Sequence, residues 1–225
     1  MNELSTDAAH STRPDLTSVS LGPRSIYRSY GKRWLDLALL ILAAPIVIPL
    51  VGLLAVLIAL DGSSPFFVQD RIGEKGHRFR MFKLRTMVPD AEQALAHVLQ
   101  NDATLRQEWN RHQKLARDPR VTWIGAILRR ASLDELPQLI NVALGDMSLV
   151  GPRPMLVEQQ ALYPGKSYFR LRPGVTGNWQ ISDRHQSAFA DRAQFDDVYS
   201  RTISLKMDLK ILLATVGVVM RATGR

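Results

Sequence analysis

From Leu37 to Leu60 the chain carries no charged residue, and Pro45 and Pro49 fall near the middle of that run. About 20 apolar residues suffice to cross a bilayer as a helix, so the run is long enough. Each proline deletes a helix hydrogen bond and bends the chain. Basic residues flank both ends, Lys32 and Arg33 before it and Arg71, Lys75, Arg78 and Arg80 after it. Cytoplasmic flanks of membrane segments collect Lys and Arg, so both ends are expected on that side. A helix that enters, breaks at the prolines and returns satisfies both signals; a kinked single span is the plainer alternative. A soluble buried helix fits poorly, because the run is too long and too evenly apolar.

The expected fold is therefore α+β and predominantly α. A tail at 1–31, rich in Ser, Thr, Pro and Arg, lacks both apolar periodicity and the short apolar core of a signal peptide. A re-entrant membrane helix-break-helix follows at 32–61, then a cytoplasmic domain at 62–225 with a short β element. The absence of cysteine excludes disulfides, thiolate metal sites and a cysteine nucleophile. With 29 Lys and Arg against 21 Asp and Glu, the net charge of +8 suits anionic partners. Nucleic acid, phosphorylated metabolites and acidic lipid all qualify on charge alone.

Past Asp61-Gly62, residues 65–69 and 79–85 read as short strands around the turn Gly73-Glu74-Lys75-Gly76. Residues 89–115 read as one polar helix, 121–130 and 133–144 as two further helices, the last stopped by Gly145. Gly151-Pro152-Arg153-Pro154 and Arg172-Pro173-Gly174 punctuate loops. Helices are expected again over 189–199 and 203–220; the latter is apolar with Lys206, Asp208 and Lys210 near its start, which suits either a membrane-surface helix or a core helix.

The segment Arg129-Arg130-Ala131-Ser132-Leu133-Asp134-Glu135 sits where a helix should begin. Ser132 to Glu135 fits a capping box, and acidic residues favour a helix N-terminus in any protein. The same position attracts phosphate, and two upstream arginines reinforce that. An ionised Asp134 there could attack phosphorus, or hold a divalent cation on a diphosphate. Other basic groups point the same way: Lys83 and Arg85 alternate along a strand and should share a face. Arg153 is fixed between prolines, Arg172 precedes Pro-Gly, and Arg184 follows Ser-Asp in a loop. Arginine forks suit phosphate oxygens, and loops commonly carry binding groups. The five histidines show no metal-ligand spacing, and no phosphate-cradling Gly-rich motif occurs.

Several of these stretches together resemble the bacterial sugar transferases, the monotopic polyprenyl-phosphate phosphoglycosyl transferases. They are Lys32-Arg33-Trp34-Leu35-Asp36, Phe82-Lys83-Leu84-Arg85-Thr86-Met87, Ser132-Leu133-Asp134-Glu135-Leu136-Pro137-Gln138-Leu139, Asn141-Val142, the run from Gly145 to Pro154, and Arg172-Pro173-Gly174-Val175-Thr176-Gly177. The resemblance covers the chain from Lys32 onward. It implies a re-entrant helix broken near a proline, matched by Pro45, and a catalytic domain on the cytoplasmic face of the bacterial inner membrane. It implies transfer of a hexose or amino-sugar 1-phosphate from a UDP-sugar to undecaprenyl phosphate, with release of UMP and a requirement for Mg²⁺. Asp134 matches the family's nucleophile, which forms a covalent phosphosugar intermediate and also meets the metal; Glu135 matches its partner. Active-site arginines of the family align with Arg85, Arg129, Arg153 and Arg184. The chain departs from the pattern at Asp183-Arg184-His185, where many relatives carry Gly-Arg-Asn. Implied partners are the UDP-sugar, undecaprenyl phosphate and the bilayer, with no nucleic acid; a homo-oligomer is compatible with an apolar element of this kind. The compact length and the tail resemble those of family members that start exopolysaccharide synthesis with galactose or glucose, with an N-acetylated amino sugar as the alternative.

Two rival functions fit part of this pattern. A membrane-tethered basic binding protein accounts for the charge but not for the ordered Pro-, Gly- and Arg-rich loops. A glycosyltransferase moving sugar without its phosphate would release UDP in place of UMP.

Overall fold

The computed structural model describes residues 26–112, 115–182 and 189–220. Helical structure begins ahead of the expected boundary at Lys32, with a π turn at Tyr27–Gly31 leading straight into α1 (Lys32–Ala59). Pro45 and Pro49 lie inside α1, which runs on through both; a break at the prolines is not seen. Tyr27–Ala59 is the one stretch among the described residues long and apolar enough to cross a membrane. Its middle is bare: Ile41, Leu42, Ile46, Ile48 and Leu53 are all exposed.

Both ends of α1 are held by the domain that follows. At the first end, Arg33 donates to the carbonyls of Val142 and Ala143, and Asp36 accepts from Ser148 Oγ at 2.7 Å and from the Leu149 N–H at 3.0 Å. Lys32 pairs with buried Asp208 at 2.7 Å, and Tyr27 and Tyr199 donate to the same carboxylate. At the other end, Ala55 and Ile58 pack on Leu84 and Leu128.

The expected hairpin forms: β1 (Phe66–Ile72) pairs antiparallel with β2 (Arg78–Leu84), from Phe66 opposite Leu84 to Ile72 opposite Arg78. The polar helix expected over 89–115 is instead two, α2 (Ala91–Asn101) and α3 (Ala103–His112), because Asp102 adopts an extended backbone and its carboxylate accepts the Thr104 and Leu105 N–H groups. Next come α4 (Trp123–Arg130) and α5 (Gln138–Leu144), the latter ended by Gly145 at φ +93°.

Three very short strands lie where the sequence suggests loops. In chain order they are β3 (Ser148–Val150), β4 (Met155–Leu156) and β5 (Gly174–Thr176). β4 adds to β1, giving the sheet order β2-β1-β4, and β3 pairs in parallel with β5. Two or three residues are too few for an alternation pattern to register. The Gly-Pro-Arg-Pro and Arg-Pro-Gly segments meet backbone to backbone: the Gly151 N–H donates to Thr176 and the Gly174 N–H to Pro152, each at 2.8 Å. A Cβ on either glycine would overlap the facing main chain. The chain finishes with α6 (Asn178–Ile181), α7 (Arg192–Thr202) and α8 (Leu205–Met220). α8 buries Asp208 and Ile211 and leaves Leu205, Leu209, Leu213 and Val216 exposed beside exposed Lys206 and Lys210.

Helix α4 is locked to the end of β2. Thr122 caps it by accepting the Gly125 N–H at 3.0 Å, and its own N–H bonds the Thr86 carbonyl at 3.0 Å. Gly125 rests on the Thr86 backbone so closely that a Cβ there would overlap it. Gly125→Ala is therefore expected to cost about 1–3 kcal/mol of stability by overpacking. Gly52→Ala, with nothing near its Cβ position in a helix interior, should keep or slightly raise the melting midpoint. Equal melting midpoints for the two variants would refute this account of the α4 seat.

Candidate active site

Lys83, near the end of β2, lies between two carboxylates: its Nζ is 2.8 Å from Glu135 Oε1 and 3.8 Å from Asp134 Oδ2. Arg153 approaches the same Glu135 oxygen at 3.5 Å. Asp134 and Glu135 lie on a 3-10 turn, Leu133–Glu135, which follows α4. The expected capping box is absent. Ser132 adopts a left-handed backbone (φ +56°) and its side chain caps nothing, and α5 begins only at Gln138, beyond Pro137. A non-glycine residue in that region is strained, and such strain persists where surrounding structure enforces it. Here the kink separates α4 from α5 and leaves Asp134 only 8% exposed.

The chain around the pair is fastened from several sides. Buried Asn141 on α5 satisfies the free edge of β2, accepting the Phe82 N–H at 3.1 Å and donating to the Arg80 carbonyl at 2.7 Å. Arg129 donates from Nε to buried Thr86 Oγ1 at 2.9 Å. Its proton affinity is lowered by burial and supported by Asp134, which places its charge near that carboxylate. Lys83, Glu135, Arg153, Arg71, Met81 and Gln138 line a small cleft of about 20 Å³ together with Pro154, Gly174 and Val175.

The helix-start argument makes Asp134 readily ionised; the structure corrects this. Burial raises its carboxyl above the ordinary carboxylate value, Lys83 pulls it back, Glu135 pushes it further up, and Arg129 and Arg153 oppose. Desolvation wins because a 3-10 turn this short offers little dipole.

Of the residues the sequence singles out, Lys83, Arg129, Asp134, Glu135 and Arg153 come together. Arg85 does not: β2 ends at Leu84, and Arg85 turns to the C-terminal end of α1, donating to the Ser64 and Ile58 carbonyls and pairing with Asp61 at 2.6 Å. Lys83 and Arg85 thus serve different places despite their alternation. Arg172 is exposed, with Glu74 at 3.8 Å. Arg184, with Asp183 and His185, lies outside the described residues. Arg71, in the cleft, enters the sequence reading only as one of the basic residues flanking the apolar run, and nothing there marks it for a site.

The sequence pattern of the family described as bacterial sugar transferase matches residues 27–222. The chain belongs to that family. This sugar transferase is 41% identical over 197 residues to exopolysaccharide production protein ExoY of Sinorhizobium fredii, covering 86% of this chain and 87% of the relative. It is 40% identical over 195 residues to a UDP-galactose-lipid carrier transferase of Erwinia amylovora. It is 39% identical to an undecaprenyl-phosphate galactose phosphotransferase of Salmonella typhimurium. Each of these two matches covers 86% of this chain, which spans only 41% of the relative's length.

No cluster of three or more His, Cys, Asp or Glu side chains able to hold a metal occurs among the described residues of this transferase. Asp134 and Glu135 are two adjacent carboxylates beside a cationic cleft. Magnesium is commonly held by one or two carboxylates together with substrate phosphates. The pair therefore fits a magnesium ion shared with a diphosphate, and not a closed all-protein site.

A carboxyl raised by burial binds its proton more tightly folded than unfolded, so it lowers stability as pH rises from the ordinary carboxylate range. Asp134→Asn is accordingly expected to raise the melting temperature at pH 7 by a few degrees, since about 1 kcal/mol moves a domain of this size about 2–4 °C. The gap should close as pH falls toward 4, the ordinary carboxylate range. A lower melting temperature for Asp134→Asn at pH 7 would show that the ionised carboxylate stabilises the fold.

Proposed function

We propose that this protein transfers a sugar 1-phosphate, galactose or glucose, from a UDP-sugar to undecaprenyl phosphate and releases UMP, as the first membrane step of exopolysaccharide synthesis. The observation that carries this reading is the buried Asp134 beside Glu135, Lys83, Arg129 and Arg153. The relatives named for galactose and for undecaprenyl phosphate support the substrates.

Asp134 Oδ attacks the sugar-bearing phosphorus, the bond to the bridging oxygen breaks, and UMP leaves with that oxygen. An oxygen of the lipid phosphate then attacks the same phosphorus, the aspartyl–phosphorus bond breaks, and the carboxylate is restored. Two half-reactions let a water-soluble donor and a lipid acceptor use one nucleophile in turn. Lys83 and Glu135 position each other at 2.8 Å, which keeps the ammonium beside Asp134 and favours the ionised nucleophile. Arg153 and Arg129 neutralise phosphate oxygens that would otherwise repel a carboxylate. Magnesium, held by Asp134 with Glu135 alongside, would supply Lewis-acid neutralisation of the diphosphate.

The membrane element places this chemistry at headgroup depth. Both ends of α1 pack on the same domain while its middle is bare, which supports a re-entrant path with both flanks cytoplasmic over a straight span. A straight helix of 28 residues would separate its ends by about 40 Å. The exposed leucines of α8 beside Lys206 and Lys210 suit a helix lying on an anionic lipid surface. The three-part division into tail, membrane element and cytoplasmic catalytic domain follows from that reading.

Incubation with sugar-labelled UDP-galactose or UDP-glucose and magnesium, without lipid, should label the wild-type protein and release an equal amount of UMP. Asp134→Asn should do neither. Label retained by Asp134→Asn would remove Asp134 as nucleophile, and UDP in place of UMP would refute phosphosugar transfer. Because the chain has no cysteine, single cysteines at Ser29 and Ser64 report topology cleanly. Both should react with a membrane-impermeant maleimide in inverted vesicles and neither in intact spheroplasts; opposite labelling of the two would establish a simple span.

A further inference from the structure

Two arginines, Arg71 and Arg153, line the cleft beside Glu135, and a third, Arg192, shares the Trp179 ring with Arg153; the sequence singles out only Arg153 among them. Arg71 on β1 lines the same cleft as Lys83, Glu135 and Arg153. Its terminal nitrogens donate to the Pro154 carbonyl at 3.3 Å and to Gln69 Oε1 at 2.7 Å, but its buried Nε has no hydrogen-bond partner. Arg192, the first residue of α7, lies 4.2 Å from the Trp179 ring and 4.6 Å from the Phe189 ring, and its buried Nε is likewise without a partner. Arg153 reaches the same Trp179 ring at 6.0 Å. Gln180, next to Trp179 on α6 and only 7% exposed, leaves both amide atoms unpartnered.

Among the described residues the carboxylates that act on these cations, Glu135 and Glu158 on Arg71 and Asp196 on Arg192, offset burial only in part. Burial, and next Arg153, lower the proton affinity of Arg71 to about 10 and of Arg192 to about 9. Glu135 already serves Lys83 and Arg153. Asp196, behind Arg192, accepts the Tyr163 hydroxyl at 2.7 Å and is raised by burial to about 7, so at neutral pH it is only partly ionised. Like charges brought together out of water, with N–H groups unmatched, are unfavourable until an anion with several acceptor oxygens joins them.

We propose that Arg71, Arg153 and Arg192 form a second phosphate site, contiguous with the Asp134–Glu135 centre, that holds the nucleotide-side phosphate of a nucleoside diphosphate sugar. This rests on the phosphosugar-transfer reading above. A diphosphate carries its two phosphorus atoms on one bridging oxygen, so a sugar-bearing phosphate at Asp134 puts the other phosphate at the next cationic position. Arg153 touches Glu135 on one side and shares Trp179 with Arg192 on the other, which makes it the bridge between the two positions. A lipid monophosphate has no second phosphate to place there. Held by three guanidinium groups, the nucleotide-side phosphate is also the leaving group whose charge grows as its bond breaks, so the same contacts favour departure of the monophosphate.

Equilibrium binding to the full chain in lipid nanodiscs, with magnesium, tests this using three probes: UMP, uridine and inorganic pyrophosphate. Wild type should bind UMP more tightly than uridine. Arg71→Gln and Arg192→Gln should each weaken UMP and pyrophosphate by at least about tenfold, the scale of one charge-assisted contact, with uridine unchanged. Arg71→Lys, which keeps the charge and loses the fork, should fall between, and covers the case in which an Arg192 variant does not fold. Unchanged UMP affinity, or an equal loss for uridine and UMP, overturns the proposal. Intact UMP binding in variants that have lost only undecaprenyl phosphate turnover reassigns the cluster to the lipid and also overturns it. None of the binding measurements needs turnover. A failure of phosphosugar transfer itself would appear separately, as wild type that binds pyrophosphate but releases no UMP from UDP-galactose or UDP-glucose.

Discussion

Asp36, at the foot of the apolar helix, is 2% exposed and commits both oxygens to the start of β3, to Ser148 Oγ and the Leu149 N–H. Few positions on a membrane-inserting helix tolerate a carboxylate, and a buried one without partners is strongly unfavourable. The strand it holds is the one whose backbone meets β5 through Gly151 and Gly174 and runs on into Arg153. Arg33, one turn earlier, occupies the last carbonyls of α5, the helix that follows Asp134–Glu135. One short stretch of the membrane element therefore fixes both loops that carry the site. The seating of the apolar helix and the position of the carboxylates are set by the same contacts.

The far end of the same helix is fixed by a different means. Ala55 and Ile58 join Leu84 and Leu128 in an apolar cluster, and Arg85 closes the end by donating to the Ile58 and Ser64 carbonyls. Helix C-termini leave carbonyls that need donors, and in lipid surroundings that need is acute. Arg85 is a better candidate for that duty than for a substrate phosphate. A motif can thus place a cation correctly in the chain without saying which of two neighbouring demands it meets.

The hairpin 66–84, a helix close to 121–130 and the stop at Gly145 were readable because each rests on local chemistry: short strands about a Gly-rich turn, a compact apolar and basic segment, a glycine past the helix end. What escaped reading was non-local. The split at Asp102 depends on one carboxylate choosing two backbone N–H groups, and β3, β4 and β5 exist only through partners far along the chain. The same holds for the site. Asp134, Glu135 and Arg153 stand in recognisable surroundings, whereas Arg71 and Arg192 become notable only when folding brings β1, the Pro154 loop and α7 together. The cap at Ser132 failed for a related reason: the strained turn is imposed from outside, by α4 seated on Thr86 and α5 fastened to β2 through Asn141.

The charges around Asp134 are displaced in opposite senses by one cause. Burial pushes the Asp134 carboxyl up toward its neutral form and pushes the Arg71 and Arg192 guanidinium groups down, so each carries its charge less readily than it would in water. Lys83, shared between Asp134 and Glu135, corrects part of the first displacement, and Glu135 opposes the second at Arg71 only in part. A ligand bearing two adjacent phosphates acts on both at once. Under the proposed function its charge would complete the arginines, while accompanying magnesium would offset the upward push that the same phosphate charge gives the Asp134 carboxyl. Under that proposal the unmatched arginines would find partners only as an anionic donor enters, and those contacts serve catalysis to the extent that they strengthen as charge builds on the departing phosphate.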